Sequence, residues 1–280
     1  HSEDFANNCA AMQVAIDEFR SVEEKVLAKA EQAKEKFRKR GKLLPRERLN
    51  LLLDSGSNFL ELCSLAGLKM HDDKDGSGAG GGIIAGIGYV AGARCMIQVN
   101  NSAIKGGTIN TATNKKNLRL QEISFQTRLP IICLNESGGG NLAGGDGPPD
   151  PWGPLGFISG GRVYCQQAQL SAAGIPQITV AHGNATAGGA YNVALADYIV
   201  LVREQTHLFL AGPPLLKAAT GEIANHEDLG GAEMHASLAG TGEYLAENDA
   251  DGIRHQHFHA GIEGNHLDPV QFGGPVHEFG

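Results

Sequence analysis

The chain has 280 residues, of which 41% are hydrophobic and 19% charged, a composition typical of a globular enzyme that can bury a substantial core. The formal net charge of −8 argues against nucleic acid as a partner, and no apolar run reaches the roughly twenty residues that span a bilayer. The first residues lack the basic and apolar regions of a secretory signal. The five cysteines stand singly, which argues against a zinc site and favours a reducing compartment, the bacterial cytoplasm or the mitochondrial matrix.

Residues 1–54 predict a helical segment. Apolar side chains recur at helical spacing between Met12 and Lys39 with dense charge between them, which predicts a solvated amphipathic helix along one edge of the fold. Gly41 ends this helix. Pro45 opens a second, shorter helix that runs to Leu53.

Strands and helices alternate through the middle of the chain. Two strands, 83–90 and 94–99, form a predicted pair. The later predicted helices are 114–127, 161–173 and 187–196, and the later predicted strands are 129–134, 175–181 and 198–202. This alternation predicts an α/β fold whose central strands are covered by helices. Residues 143–160, crowded with Gly and Pro, predict a long surface loop, and residues 255–280 predict an irregular tail.

Two glycine turns carry the functional hypothesis. One is Glu136 to Gly140 and the other is Thr186 to Tyr191, and each follows an apolar run that predicts a buried strand. Because glycine has no Cβ, its backbone N–H groups can come close to a ligand atom, and donors at a strand end or helix start favour negative charge. Two such turns can converge on one oxygen and hold an enolate or oxyanion. For either turn alone, a tight strand–helix corner is the competing interpretation.

Several other motifs have a structural alternative. The run from Gly86 to Ala91 matches a dinucleotide-binding pattern but lies inside a predicted strand, which argues against that function. Ser137 could act as a nucleophile with His182 as its base, although the spacing is not that of a hydrolase elbow. The alternating histidines 255, 257 and 259 could ligate a metal, although the absence of nearby carboxylates in the sequence favours adventitious binding over a physiological site. The segment from Gly212 to Glu222 could form a pocket wall or a rigid corner.

Seven segments, taken in order, resemble the carboxyltransferase (β) subunit of biotin-dependent acyl-CoA carboxylases. They are most similar to the methylcrotonyl-CoA and geranyl-CoA branch, and residues 61–73 favour the geranyl-CoA type. The resemblance covers roughly residues 19–254 and matches the N-terminal half of that family, whose acyl-CoA-binding domain is here predicted over residues 55–254. The segments are 42–48, 105–108, 136–139, 171–177, 186–191, 212–222 and 229–235.

The resemblance implies a crotonase-like fold, in which repeated β-β-α units form a superhelix, here with a long N-terminal amphipathic helix. It implies biotin carried by a partner α subunit, an acyl-CoA substrate, other β subunits in a hexameric core, and no metal bound by this chain. The family's second half, which binds biotin, is not matched. We therefore expect this chain to bind acyl-CoA and not to turn over alone.

The resemblance also implies the chemistry and the site. Carboxybiotin releases CO2, the freed biotin nitrogen takes a proton from the acyl-CoA, and the resulting enolate attacks CO2, so no strong side-chain base is needed. The implied oxyanion-binding residues are Gly139, Gly140, Gly188 and Gly189. The implied substrate-binding residues are Lys105, Gly106, Gly107, Thr108, Ala190, Tyr191, Gly212 and Pro213.

Two departures from the family pattern keep other functions open. Position 140 is Gly where the family usually has Ala, and residues 143–160 replace what is normally a helix near the active site. A non-catalytic scaffold with the same fold is one alternative. A crotonase-fold hydrolase or hydratase that uses Ser137 or Glu136 is the other.

Overall fold

The structure is a computed structural model and describes residues 2–70, 73–140 and 157–255. Three helices open the chain: α1 (Glu3–Glu31), α2 (Lys34–Arg38) and α3 (Pro45–Leu52). The Ser2 side chain caps α1 by accepting from the Phe5 amide, and Pro45 stands at the first position of α3, where a missing N–H is harmless. The predicted N-terminal helix is therefore confirmed, although it begins nine residues earlier and breaks before α2. In the described part of the chain no helix combines the length and apolar character needed to cross a membrane.

One sheet forms the centre of the fold. Its strands within the described residues are β1 (Leu60–Glu61), β2 (Ile83–Val90), β3 (Ala93–Asn100), β4 (Ile131–Ser137), β5 (Gln177–Thr186), β6 (Tyr198–Val202), β7 (His207–Phe209) and β8 (Tyr244–Ala246). Their order is β1-β2-β3-β4-β5-β6-β8, and β7 pairs with the end of β5. The first three strands are antiparallel, and β3 to β8 pair in parallel. The carboxyl ends of β4 and β5 therefore meet at one edge.

Helices cover both faces of the sheet. The later helices are α4 (Thr111–Thr127), α5 (Phe157–Ala172), α6 (Gly188–Ala194), α7 (Pro213–Thr220), α8 (His226–Gly230) and α9 (Ala232–Met234). On one face Leu49 and Leu52 of α3 pack on a core that includes Ile132. On the other face Leu120 of α4 and Leu170 of α5 pack in a second core. The predicted α/β fold with covered strands is confirmed.

The structure differs from the predicted elements at the ends of some strands and helices and in three short strands. The second predicted strand before a glycine turn runs on to Thr186, so β5 ends directly at the turn. The strands β1, β7 and β8 were not predicted, because two or three residues give no periodicity. Most of the predicted loop 143–160 and of the predicted tail lies outside the described residues, but α5 begins at Phe157, inside that loop.

Gly86 lies in the interior of β2 and packs closely against β1. A substitution at this position therefore tests the packing of the two strands. A Cβ there would come within 2.2 Å of the Leu60 carbonyl oxygen. Gly86→Ala should therefore lower the free energy of unfolding by about 1–3 kcal/mol through overpacking. Gly161→Ala is the matched control, because a Cβ there meets no described residue outside its own helix α5 and alanine is the better helix former. Equal melting temperatures for Gly86→Ala and the unaltered chain would contradict this packing.

Candidate active site

Three turns meet at the carboxyl end of β4. The Gly138 amide donates to the Gly106 carbonyl at 3.1 Å, and the Ile109 amide donates to the Gly139 carbonyl at 2.8 Å. A Cβ on Gly107 would lie 2.4 Å from the Glu136 carbonyl oxygen. The predicted substrate-binding segment, Lys105 to Thr108, is therefore bound directly to the first glycine turn.

The second glycine turn packs against the first. A Cβ on Gly139 would lie 2.9 Å from the Thr186 carbonyl oxygen, and a Cβ on Gly189 would lie 3.1 Å from the Ser137 Cβ. This contact follows from topology, because β4 and β5 are parallel neighbours and both end here. The two turns that the sequence singles out are thus in van der Waals contact.

The amides of these turns are not equivalent. The Gly139 amide donates to the Ser137 hydroxyl oxygen at 3.2 Å, so it is already engaged. Gly188 and Gly189 occupy the first two positions of α6, where a helix offers its N–H groups no acceptor. Gly140 is exposed at the surface of the first turn, whereas Gly139 and Gly189 are buried. The described donors that can reach a ligand therefore centre on Gly140 and the start of α6.

Ala187 turns the chain from β5 into α6 in a sparsely populated conformation. Its φ of 50° and ψ of −118° lie outside the regions that L-residues favour. The Ala187 amide donates to the Phe209 carbonyl of β7, and its own carbonyl accepts from Ala190 and Tyr191. These bonds hold the turn, and they also engage the Ala190 amide. Strained backbone held in this way often marks a functional site.

Aromatic side chains border the start of α6. The Tyr164 hydroxyl donates to the Gly188 carbonyl at 3.2 Å, and the rings of Tyr164 and Tyr191 are 5.4 Å apart. Gly212 and Pro213 begin α7, and a Cβ on Gly212 would lie 3.2 Å from the Phe209 ring. Gly212 and Pro213 thus do not contact the glycine turns directly. They are connected to the second turn through Phe209.

The contacts of Ser137 and His182 do not form a hydrolase dyad. The Ser137 side chain is buried and donates to the Gly107 carbonyl at 3.0 Å. His182 is also buried, and its Nδ1 hydrogen-bonds Asp249 Oδ1 at 2.8 Å. Ser137 therefore acts here as a bridge between turns, and His182 as a partner of a carboxylate.

A buried ion-pair network lies directly beneath the first glycine turn. Glu136 accepts from Lys42 at 2.8 Å, from Arg48 Nη1 at 2.7 Å and from Ser102 at 2.9 Å. Arg48 Nε also donates to Asp249 at 2.9 Å, and Asp249 accepts from the Leu43 amide as well. The network joins the start of α3, the end of β4 and the helical segment 249–255.

Glycine at position 183 makes room for this network. A Cβ there would come within 2.6 Å of Glu136 Oε1 and 2.5 Å of Lys42 Nζ. The β4–β5 register shifts at the same level, between Asn135 and Ser137. The register shift between β4 and β5 and the absence of a side chain at Gly183 together let the Lys42–Glu136 ion pair pack against β5.

The charges of the network shift its pKa values. Burial disfavours ionised Glu136, but Arg48 and Lys42 outweigh burial and hold the pKa of that carboxyl below its ordinary value. Burial likewise opposes ionised Asp249, but the His182 hydrogen bond and the Arg48 charge hold its pKa well below the usual range. Burial and the nearby Arg48 charge lower the pKa of His182. Both carboxylates are therefore ionised and the imidazole is neutral, with its proton on Nδ1.

Sequence reasoning missed this network, because its members are far apart in the chain and look like ordinary surface charges. The resembling segment 42–48 contained two of them, Lys42 and Arg48, without a signal for their role. The Lys116 ammonium is also buried, where it donates to three carbonyls, those of Cys63, Gly80 and Ile83. Among the described residues, no group of three His, Cys, Asp or Glu side chains is arranged to hold a metal ion.

The fold, with glycine turns at the ends of adjacent parallel strands, is of the crotonase-like class found in carboxyltransferases. Residues 36–258 match the family model of the carboxyl transferase domain, and the chain belongs to this family. It is 46% identical over 255 residues to the mitochondrial methylcrotonoyl-CoA carboxylase beta chain of Arabidopsis thaliana, covering 90% of this chain and 42% of that protein. It is 48% identical over 225 residues to the biotin-dependent 3-methylcrotonyl-coenzyme A carboxylase beta1 subunit of Mycobacterium tuberculosis, covering 80% of this chain and 41% of that subunit.

Solved structures give the same family. The beta subunit of P. aeruginosa geranyl-CoA carboxylase superposes with a TM-score of 0.83 at 55% identity, over 94% of this chain and 47% of that one. The hexameric transcarboxylase 12S core with methylmalonyl-coenzyme A bound superposes with a TM-score of 0.77 at 26% identity, over 88% of this chain and 47% of that one. The chain therefore spans less than half the length of these relatives.

Removing Arg48 tests the network. Arg48→Met leaves two buried carboxylates without their shared cation, so the free energy of unfolding should fall by about 3–5 kcal/mol. Arg203→Met is the control, because Arg203 pairs with Glu233 and Glu247 at the surface, where such pairs contribute about 0–1 kcal/mol. Chemical denaturation measures both. An equal loss in the free energy of unfolding for Arg48→Met and Arg203→Met would contradict a structural role for the buried network.

The neutral state of His182 predicts a pH dependence. Because its folded pKa lies below the ordinary 6.5, the stability it contributes is fully present above pH 6.5 and is lost as pH falls towards the folded value. His182→Asn keeps a donor near Asp249 but cannot titrate. The variant should therefore lose less stability than the unaltered chain between pH 7 and pH 5 (about the range over which an ordinary histidine titrates). Parallel pH profiles for the two proteins would contradict a neutral His182.

Proposed function

We propose that this chain is the acyl-CoA-binding part of the carboxyltransferase subunit of a biotin-dependent acyl-CoA carboxylase. The proposed substrate is a branched, unsaturated acyl-CoA of the 3-methylcrotonyl-CoA or geranyl-CoA type, the type named for the relatives. The observation that carries the proposal is the contact between the two glycine turns, Gly139 on Thr186 and Gly189 on Ser137. That contact brings two sets of backbone donors to one place.

The chain's contribution to the reaction is stabilisation of negative charge. Proton loss from the γ-carbon of such an α,β-unsaturated thioester gives an extended enolate, which then bonds to CO2, and its charge gathers on the thioester oxygen. N–H groups that are already aimed at that position lower the barrier without reorganisation. We assign this role to the amides of Gly140, Gly188 and Gly189, while Gly139, whose amide bonds Ser137, shapes the first turn.

The chain's own polar groups are consistent with a base supplied from outside. Biotin on a partner subunit, when bound, carries the carboxyl group and provides the nitrogen that accepts the substrate proton. In the described site Ser137 bonds Gly107, Glu136 is ion-paired, and neutral His182 bonds Asp249. None of these three is poised as a base, which fits chemistry that brings its base with the cofactor.

The remaining predicted site residues are assigned to the two ends of the acyl-CoA substrate. We propose that Lys105 and the backbone of Gly106, Gly107 and Thr108 contact the CoA moiety, since this turn is bound to Gly138 and Ser137. We further propose that Ala190, Tyr191, Gly212 and Pro213 line the acyl end. Tyr191 is 47% exposed, so its ring can still contact a ligand.

Partners and compartment complete the proposal. Biotin would reach the site on an α subunit, and the other half of the active site would come from the part of the β subunit that this chain does not span. A hexameric β core is supported by the hexamer assembly named for the 12S transcarboxylase core. The mitochondrial relatives and the mycobacterial one support the mitochondrial matrix or the bacterial cytoplasm.

Calorimetry tests substrate binding. The chain should bind 3-methylcrotonyl-CoA or geranyl-CoA saturably and more tightly than CoA alone, because the acyl carbonyl adds contacts with the glycine turns. It should show no biotin-dependent carboxylation by itself. Equal heats for acyl-CoA and buffer would favour a scaffold without a ligand.

A pair of glycine substitutions tests the donors. In the full-length subunit assembled with its biotin-carrying partner, Gly189→Ala places a Cβ against Ser137 and separates the turns, so kcat should fall by on the order of a hundredfold. Gly140→Ala is the matched control, because no atom of the described residues lies within 4 Å of a Cβ at that position and the N–H group is kept. Full activity of Gly189→Ala would remove the support for paired turns.

A further inference from the structure

A small polar cavity lies inside the fold, between the sheet and the helices α4 and α5. Its volume is about 30 Å³, and β3, β4 and β5 contribute to its wall. Five side-chain amides line it, from α4, β4, α5 and α6: Asn117, Gln121, Asn135, Gln167 and Asn192. No charged side chain of the described residues faces this cavity. It is therefore a polar but neutral compartment, separate from the ion-pair network around Glu136.

Each of these five amides has a buried oxygen that accepts no hydrogen bond from the described residues. Four of the side chains are more than nine-tenths buried, since Asn117 is 8%, Gln121 5%, Asn135 1% and Gln167 7% exposed. Buried polar atoms without a partner are rare in folded proteins because their lost hydration is not replaced. Five in one cavity point to a bound species that the amide oxygens hold.

Hydrogen bonds at the other end of two amides fix which atom is left unpaired. Gln121 Nε2 donates to the Val163 carbonyl at 3.1 Å, and Gln167 Nε2 donates to the Asn192 carbonyl at 3.2 Å. Turning either amide over would place its oxygen against a carbonyl oxygen, where two acceptors repel each other. The free oxygens are therefore a consequence of how α4, α5 and α6 are connected.

The number of acceptors favours a cation over water. About 10–15 Å³ of such a cavity holds one water, so about two waters would fit, and their hydrogens are too few to bond five oxygens. One cation can be coordinated by all five oxygens at once. Ca²⁺ and Mg²⁺ sites use carboxylates, whereas neutral carbonyl-type oxygens replace the hydration shell of K⁺. The donor set therefore fits a monovalent cation.

We propose that this cavity binds one monovalent alkali cation of the size of K⁺ through the amide oxygens of Asn117, Gln121, Asn135, Gln167 and Asn192. The family resemblance did not lead us to expect a metal in this chain, and this site uses neither carboxylates nor imidazoles. The ion joins β4, through Asn135, to α6, through Asn192, and these elements carry the two glycine turns. The proposal does not rest on acyl-CoA chemistry, so it can fail or hold independently of the proposed function.

Thermal unfolding of the purified chain in KCl and in choline chloride, at equal ionic strength, tests the binding. Choline is too large for the cavity and serves as the reference cation. Because a bound ion stabilises only the folded state, K⁺ at a hundred times its Kd should raise the melting temperature by roughly 5–10 °C. The rise should saturate with K⁺ concentration. Equal melting temperatures in both salts at every concentration overturn the proposal and leave water as the content of the cavity.

A pair of amide substitutions tests the location. Asn117→Leu removes one oxygen and keeps a side chain of similar size, so the K⁺ midpoint should rise at least tenfold. Its melting temperature in choline chloride should not fall, because an unpaired buried acceptor has been replaced by an apolar group. Gln166→Leu is the matched control, because its unpaired amide oxygen lies in α5 outside the cavity, beside Phe125. An unchanged midpoint in Asn117→Leu overturns the site.

Rubidium gives a direct readout that does not need a variant to fold. Rb⁺ is close to K⁺ in size and scatters anomalously, so crystals of the unaltered chain soaked in RbCl should show an anomalous peak inside the cavity. That peak should lie among the oxygens of Gln121, Asn135 and Gln167. A cavity without an anomalous peak overturns the proposal, whatever the melting temperatures show.

Discussion

The carboxylate of Glu136 is the point on which the site depends. It begins the first glycine turn at the carboxyl end of β4, and Lys42, Arg48 and Ser102 all donate to it. Through Arg48 the same network reaches Asp249, so the N-terminal segment and the last described helical segment are tied to one strand end. An ion pair buried in this way adds little net stability compared with apolar packing, but it is costly to break. Its effect is to fix where the strand ends.

That fixed strand end explains how backbone alone can form a site. Ser137 is buried between Gly107 and Gly139 and bonds both, so one hydroxyl joins the first glycine turn to the turn at Gly106 and Gly107. Glycine is needed at the contacts because backbone atoms occupy the space of a Cβ at Gly107 and Gly139. The polar side chains nearby are already hydrogen-bonded or ion-paired, and these bonds hold the turns in place. What remains for a ligand is a set of N–H groups and the strained Ala187 corner.

Much of this arrangement could be predicted from the sequence. Apolar runs followed by glycine turns predicted β4 and β5, and parallel neighbours must end at one edge, so the approach of the turns followed. The family resemblance is borne out by the domain match and the relatives. The extension of β5 to Thr186 was missed because His182, Gly183 and Asn184 break the apolar run. His182 bonds Asp249 of the ion-pair network and Gly183 leaves room for the network, whereas Asn184 bonds His207 of β7.

The network itself could not be predicted, since long-range pairs leave no local pattern. Asp249 and Arg48 are separated by most of the domain, and only the fold brings them within 2.9 Å. The engagement of the Gly139 amide by Ser137 was equally invisible, because it depends on a side-chain rotamer within the turn. Residue types and spacing therefore predict the two glycine turns. Only the folded structure shows which of their backbone amides are already hydrogen-bonded and which can donate to a ligand.

Isotope-edited infrared spectroscopy of bound acyl-CoA, labelled with carbon-13 at the thioester carbonyl, tests the central claim most directly. Hydrogen bonds from the glycine-turn amides should polarise that carbonyl and move its stretching band to lower frequency than in free acyl-CoA. The shift should shrink in Gly189→Ala. A bound carbonyl that absorbs at the same frequency as the free thioester would contradict the account.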